Sequence, residues 1–385
     1  MDGNVERPSG KRHLHETGPQ TLMGRLLRHF WHPVALAVDV PARSARAIRI
    51  LSEDLTLYRG ESGRPYLVGG RCAHRCTVLH TGIVQGEDIS CMYHGWRYDS
   101  TGLCKDIPAE KQPRAKPVRI AGYPVHEYCG LIFAYMGPLP APEFELPRKE
   151  IFEDTSRAII AKREFWDCNW FQQVENSMDA VHLSFAHMWG IEGQFGSAIS
   201  GGRQIPDLEY EETSSGIRQI ATRSNGNVRI SDWTFPNNNH IVVPGLDKNS
   251  SWGHVSVWAT PVDDENTMRF RLYSTDETDP TKIAKARQDQ KFEPLDHVEK
   301  LFSGDLSGLS EQALISAQDY LAVRGQGAIC DRDEENLSAS DAGIIFLRKL
   351  FLRELEAISR GQETKTWARL ADKVHLPPPP VAAVI

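Results

Sequence analysis

The sequence predicts an α+β protein in which an all-β domain precedes a mixed domain of antiparallel sheet and helices. Three observations predict it. Between His32 and Met136, short alternating segments such as Leu55-Thr56-Leu57-Tyr58 and Leu131-Ile132-Phe133-Ala134-Tyr135 are punctuated by Gly and Pro, as short strands are. Gly137-Pro138-Leu139-Pro140-Ala141-Pro142 then reads as a linker. Beyond residue 151, strand-like runs mix with helical ones, the clearest recurring at Ile344, Leu347, Phe351, Leu355 and Ile358.

Taken in order, residues 1–20 are polar and are expected to form a mobile tail, with His13 and His15 solvated. Leu22 to Trp31 reads as a short amphipathic helix opening a first domain over 21–140. The second domain runs over 151–385, with strands near 217–223 and 254–275. Residues 190–202 carry five glycines, so they read as a long loop, either a lid or plain surface. Ser340 or Asp341 opens the last helix and Gly361 stops it. The PPPPVAAVI end reads equally as an extended tail that packs on a neighbour or as a disordered end.

Composition bounds the function classes. The 385 residues are 40% hydrophobic and 25% charged, as ordinary globular chains are. A net charge of −7 gives no reason to invoke nucleic acid or an anionic membrane. No apolar run approaches the roughly 18 residues of a membrane span, and the N-terminus lacks a signal-peptide core, so a cytoplasmic location is expected. Seven cysteines, an odd number, suit a reducing compartment. Cys72 and Cys91 are then candidate metal ligands and the other five free thiols.

Two constellations carry chemistry. The first is Cys72-x-His74 followed by Cys91-x-x-His94. Two thiolates and two imidazoles at this spacing are the ligand set of a Rieske [2Fe–2S] cluster, whose neutral imidazoles raise the reduction potential. A Cys₂His₂ zinc site is the alternative, but such sites group like ligands together, whereas here each half supplies one of each. The pattern resembles that of Rieske proteins of respiratory complexes, which carry an extra cysteine in each loop joined by a disulfide; here Cys76 sits one residue too early and Tyr93 holds the partner position, so no disulfide is expected.

The second constellation is Glu175-Asn176-Ser177-Met178-Asp179-Ala180-Val181-His182 with His187 beyond it. Two histidines and a carboxylate make the facial triad of a mononuclear non-haem Fe(II) site, with positions open for O₂. Asp179 and His182 share one helix face, but His182 and His187 would point about 140° apart on a regular helix. The helix must end or distort near Ser184 to Ala186 for both to reach one metal. On their own, two such histidines are as readily core or surface residues. The third ligand must be a carboxylate from another segment, for which Ser316-Ala317-Gln318-Asp319-Tyr320 offers Asp319. Asp179, one turn before His182, suits a partner to that ligand's other ring nitrogen, with direct ligation as its competing role. Asn176, Met178, Phe185 and Ile315 are the candidate pocket residues by helix face, with Asn239, His240 and Trp252 as weaker ones.

These motifs carry a resemblance. The loops C-x-H-R and C-x-Y-H-G-W, the run N-W-x₄-E-N-x₂-D-x₂-H-x₄-H from Asn169 to His187, and Gln318-Asp319 followed by Gly327-Ala328-Ile329-Cys330-Asp331-Arg332 resemble the Rieske non-haem iron aromatic-ring-hydroxylating oxygenases. The similarity is to the large (alpha) subunit of the phthalate-dioxygenase type, from which Asn336 departs where histidine is usual. It implies a helix-grip catalytic domain, a Rieske cluster on Cys72, His74, Cys91 and His94, and iron on His182, His187 and Asp319. It further implies that Asp179 carries electrons from His94 of a neighbouring subunit, which predicts a homotrimer or a hexamer of two trimers.

The expected reaction is cis-dihydroxylation of an aromatic carboxylate with O₂. The chain has no G-x-G-x-x-G or flavin motif, so NAD(P)H would act only through a separate flavin/iron–sulfur reductase, with or without a ferredoxin. Monooxygenation on the same scaffold (O-demethylation, methyl hydroxylation or aryl-ether cleavage) remains open, as does a pure Rieske electron carrier. Arg203, Arg218 and Arg269 are candidates to bind a substrate carboxylate.

Overall fold

A computed structural model describes residues 13–112, 116–144, 150–188, 204–224, 226, 228–243, 252–289, 293–365 and 367. The glycine-rich stretch 190–202, Arg203 and the proline-rich end lie outside the described residues. Among the described residues, no helix is long and apolar enough to cross a membrane.

The N-terminal half is all β. Strands β1 (Trp31–Leu36), β10 (Val125–Tyr128) and β11 (Leu131–Tyr135) form one sheet in the order β1-β11-β10. A second sheet takes β2 (Ala45–Ile50), β3 (Glu53–Arg59), β4 (Pro65–Gly69) and β9 (Gly122–Tyr123). A third takes β5 (Ile83–Gln85), β6 (Asp88–Ser90), β7 (Arg97–Tyr98) and β8 (Cys104–Asp106). Tyr58, Val68, Leu79, Ile89, Trp96 and Tyr98 fill the space between the last two, with Cys72 and Cys91 inside the same cluster.

Two local readings change. Residues 13–20 are packed where a mobile tail was expected: Leu14 and Thr17 are fully buried. Thr17 donates from N and Oγ1 to Asp264 at 2.8 and 2.7 Å, tying the segment to a turn of the C-terminal half. The helix after it, α1 (Leu22–Arg28), is capped by Thr21 and ends earlier than Trp31, because the chain at Trp31 pairs with Tyr135. Polar sequence alone did not reveal that side chains as short as threonine would be consumed by internal partners.

The C-terminal half is built on one antiparallel seven-stranded sheet, ordered β12-β18-β17-β16-β15-β14-β13. Its strands are β12 (Ala158–Trp166), β13 (Asp207–Glu212), β14 (Gly216–Thr222), β15 (Val228–Thr234), β16 (Asn238–Val243), β17 (Gly253–Pro261) and β18 (Thr267–Thr275). The short α2 (Glu150–Glu153) leads in, and α3 (Trp170–Ser177) crosses the sheet on β16 and β17. After the sheet come α4 (Pro280–Asp289), α5 (Val298–Phe302), α6 (Glu311–Arg324) and α7 (Ala342–Ser359). Asn169 caps α3, accepting from the Phe171 amide while its own amide donates to the His15 and Asp264 carbonyls.

The α7 periodicity is as read: Leu347, Phe351 and Leu355 are fully buried, Phe351 against Trp170, Phe171, Trp233 and Phe235. A capping box between Ser338 and Asp341 opens it and Gly361, at φ 66°, lies just past its end. This aromatic core fixes α3 and α7 over the sheet, and the candidate site lies beside it, between α3, α6 and the sheet.

Candidate metal centres and active site

The first centre is made by two turns of like construction. In one the Cys76 amide donates to the Cys72 carbonyl at 3.0 Å; in the other the Gly95 amide donates to the Cys91 carbonyl at 2.9 Å. Cys76 and Gly95 hold the same place in the two turns and both are left-handed, at φ 58° and 73°. Cys76 is therefore a turn residue, and all seven cysteines are free of disulfides.

The four donors meet with a clear asymmetry. The Cys72 and Cys91 side chains are buried, whereas His74 and His94 are exposed, their rings 4.5 Å apart. His74 stacks on Trp96 at 4.8 Å and His94 packs on Tyr93 at 3.9 Å. The Tyr98 hydroxyl lies 3.2 Å from Cys72 Sγ, a hydrogen-bond donor placed at a sulfur. Burial, with Cys72 adding to it, pushes the Cys91 thiol up, so an anionic Cys91 wants a cation beside it. Buried thiols and surface imidazoles fit the two ends of an iron–sulfur rhomb.

The second centre is His182, His187 and Asp319, whose ligand atoms all lie within 4.8 Å of one another. Asp319 Oδ1 is 3.5 Å from His182 Nε2 and 3.3 Å from His187 Nε2. That oxygen is buried and has no hydrogen-bond partner among the described residues. Burial opposes its charge, but His187 and His182 hold the Asp319 carboxyl well below the usual carboxylate range. The same pairing outweighs burial at His187 and raises its pKa.

The ring tautomers are set from behind. His182 Nδ1 donates to the Asp179 main-chain carbonyl, and His187 Nδ1 lies 3.0 Å from Gln318 Oε1. Both imidazoles therefore turn an Nε2 lone pair to one point, facing an orphaned carboxylate oxygen. Two nitrogens and one oxygen converging with one face open fit a mononuclear non-haem iron.

How the chain brings the histidines together differs from the expectation. The helix stops at Ser177, before the predicted distortion near Ser184, and the chain continues as two 3₁₀ turns, His182–Ser184 and Ala186–Met188. The Met178 carbonyl at the bend accepts from Gln219 Nε2 at 2.7 Å and from the Tyr210 hydroxyl at 3.3 Å. Asp179 then caps the next turn, its Oδ1 accepting from the Val181 and His182 amides. Its other oxygen is 3.8 Å from His182 Nδ1, so the backbone carbonyl takes the role expected of the carboxylate. Because regular helical spacing breaks at Met178, two pocket expectations fail. Met178 is buried in the core and Phe185 is half exposed, and neither lines the cavity, whereas Asn176 and Ile315 do.

A cavity of about 170 Å³ opens over Asp319, His182 and His187. Its floor is the sheet: Ile241, Val243, Val255 and Val257 make an apolar strip, with Asn237, Asn239 and Gln219 on one side. Asn239 thus lines it as expected, whereas His240 is a buried residue bonded to Ser256 and Trp252 does not reach it. Three arginines face in: Arg229, Arg269 and Arg271. Arg269 is held by Glu164, while Arg218 pairs with Asp232 and does not line the cavity. Arg271 has no hydrogen-bond or ion-pair partner among the described residues, and burial lowers its pKa. Sequence reasoning missed Arg229, Arg271 and Gln219; strand alternation, inward at Arg269, Arg271 and Tyr273, was the available signal.

Comparison with known proteins agrees with this geometry. Residues 30–128 match the Rieske [2Fe-2S] domain family, and residues 134–373 match the family described as LigXa C-terminal domain like. The chain is 33% identical over 370 residues to the 5,5'-dehydrodivanillate O-demethylase oxygenase subunit of Sphingobium sp. (strain NBRC 103272 / SYK-6), covering 92% of this chain and 82% of that one. It is 33% identical to the phenoxybenzoate dioxygenase subunit alpha of Ectopseudomonas oleovorans, over 89% of this chain and 83% of that one. It is 26% identical to the phthalate 4,5-dioxygenase oxygenase subunit of Pseudomonas putida, over 88% and 84%. Among solved structures, Pseudomonas putida CBB5 NdmA with caffeine superposes with a TM-score of 0.69 at 21% identity, over 90% of this chain and 96% of that one. Dicamba monooxygenase bound to dicamba gives 0.64 at 19%, over 87% and 99%, a likeness of fold.

Proposed function

This chain belongs to the Rieske non-haem iron oxygenases, as an oxygenase (alpha) subunit, and on that premise we propose that it oxidises an aromatic carboxylic acid. A Rieske [2Fe–2S] cluster and a mononuclear iron at His182, His187 and Asp319 are its cofactors. When bound, they supply single electrons and a binding site for dioxygen.

Arg271 carries the substrate reading. A guanidinium turned into a cavity, with Glu164 already engaged by Lys162 and Arg269, calls for an anion from the ligand. A planar carboxylate matches its fork. The apolar strip beside it suits an aromatic ring, and the volume suits one ring: a dry cavity of about 150 Å³ holds benzene. Asn239 and Asn237 offer polar contacts to ring substituents.

Two steps belong to the protein. Arg271 and the valines hold the ring over the open face of the triad. Asp179, with one carboxylate oxygen engaged by the Val181 and His182 amides, accepts a hydrogen bond at the other from His94 of a second copy, whose imidazole is exposed. Cys72, His74, Cys91 and His94 hold the cluster. This arrangement makes the working unit a ring of subunits, a trimer or a pair of trimers, fed in the cytoplasm by a separate NAD(P)H-dependent reductase.

The sequence put cis-dihydroxylation first. We place monooxygenation, with O-demethylation as its leading form, ahead of it, because a relative 33% identical over 92% of the chain is an O-demethylase oxygenase subunit. Single turnover of the reduced, iron-replete protein with labelled dioxygen and a panel of benzoates, methoxybenzoates, phenoxybenzoates and phthalates tests both. A phenol without label, its labelled oxygen lost with formaldehyde, marks demethylation; one labelled oxygen retained marks hydroxylation, and two in one product mark dihydroxylation. Arg271→Gln should raise KM for the acid that reacts about tenfold or more. Peroxide without product from every acid would sink the substrate class.

A further inference from the structure

The two oxygens of Asp319 face different partners. Oδ1 looks at both histidine Nε2 atoms, while Oδ2 lies 3.8 Å from Arg269 Nη2. Arg269 is not a loose side chain. Its Nη1 is 3.2 Å from Glu164 Oε2 and 3.4 Å from Ser316 Oγ, and its guanidinium sits over the Trp166 ring at 5.0 Å. Glu164 is itself pinned in the interior by Lys162 and by the Ser316 hydroxyl at 2.9 and 2.8 Å. Ser316 is one helical turn before Asp319 on α6, so Glu164 grips that helix at one point while Arg269 reaches the ligand at the next.

We propose that Arg269 is a positioning residue that holds Oδ2 of Asp319 away from the iron, so that this carboxylate binds through Oδ1 alone and one more coordination position stays open. The physical reason is competition: a carboxylate can chelate a metal with both oxygens or share them between the metal and a fixed cation. Here the cation is built into the sheet before any metal arrives. The buried acid that fixes it, Glu164, keeps Arg269 from swinging into the cavity, whereas its neighbour Arg271 faces the cavity without such a partner among the described residues. Two adjacent inward positions on β18 thus have separate work, Arg269 toward the ligand and Arg271 toward the substrate.

The inference rests on the iron site and not on the identity of the substrate, so its test uses none. The ferrous full-length protein, with its cluster oxidised and EPR-silent, is titrated with nitric oxide, and the iron–nitrosyl EPR signal is recorded. Arg269→Gln releases Oδ2: the signal should change its rhombicity and the affinity for nitric oxide should fall about tenfold. Glu164→Gln, which touches no iron ligand, should shift the signal the same way but less. Arg269→Lys, with the charge but not the fork, should lie between. The cluster's visible spectrum reports whether each variant is folded. A wild-type nitrosyl signal and affinity in Arg269→Gln with cluster and iron intact would overturn the proposal. If that variant loses iron or cluster, wild-type signals from both Glu164→Gln and Arg269→Lys would overturn it equally.

Discussion

Arg348 on the last helix places Nε 2.6 Å from Oε1 of Glu175, one turn before the bend that carries the iron ligands, and both side chains are buried. Arg332 adds a second guanidinium at 3.2 and 2.8 Å, and Arg348 spans on to both oxygens of Glu335. A carboxylate on α3 is thereby joined to two segments far along the chain. Removing Arg348 leaves Glu175 with Arg332 alone, so the cost is that of lost buried hydrogen bonds and not of a stranded charge, about 1–3 kcal/mol. Arg348→Met should lower unfolding free energy by that order and weaken binding of the mononuclear iron, with the cluster's visible spectrum retained. Denaturant titration and metal analysis on the same sample check both.

Gly343 at the start of α7 lies where a side chain would collide. A Cβ there would come to 2.5 Å from the Met178 carbonyl oxygen and 2.5 Å from the Tyr210 ring. Gly343→Ala should therefore cost about 1–3 kcal/mol and shift the bend that aims Asp179 and His182. Thermal unfolding would show the first effect, and reduced iron occupancy at constant cluster content the second.

Gln318 acts through His187. With its Oε1 3.0 Å from Nδ1, it fixes the ring and its tautomer. Gln318→Leu keeps the volume and removes the acceptor. Iron affinity measured by chelator competition should fall roughly 10- to 100-fold, while Arg49→Gln on the surface of the other half leaves it unchanged.

Glu293 gives a pH signature. Its Oε1 accepts from the Phe165 amide at 2.7 Å, and burial pushes its carboxyl up from 4.5 to about 7. The folded chain thus holds a proton that the unfolded chain gives up. This contribution is complete below pH 4.5, declines as pH rises toward 7 and is gone above it. Glu293→Gln should flatten that part of the stability–pH curve and raise stability at pH ~8 by roughly 1 kcal/mol, a figure discounted for the group's partial exposure. Equal slopes for both proteins between pH ~5 and ~8 would show the proton is not held.

What could be read from the sequence follows from how local each feature is. Cys72, His74, Cys91 and His94 fall in two short turns, so spacing alone brought them together. Asp319 rests on the resemblance, and the role of its neighbour Gln318 is invisible in the sequence, since the contact with His187 exists only once α6 docks. Met178 and Phe185 were placed by helical arithmetic, which ended at Ser177 because Gln219 and Tyr210 draw the Met178 carbonyl out of the helix. Arg271 looked like any strand arginine; only the pairing of β17 with β18, Val257 opposite Arg271, turns it to the cavity. Thr17 shows the converse, a polar residue assigned to solvent that the fold uses inside.

The two turns that present Cys72 and Cys91 are closed by hydrogen bonds within five residues each, and both turns lie in the first quarter of the chain. The triad draws on α3, the 3₁₀ turns and α6, and its supporting clamp reaches α7, near the other end. The two metal centres therefore become available at different stages of synthesis. A nascent chain still attached to the ribosome already holds all four cluster ligands, while the clamp behind the catalytic iron site is complete only when the last helix has been made and docked.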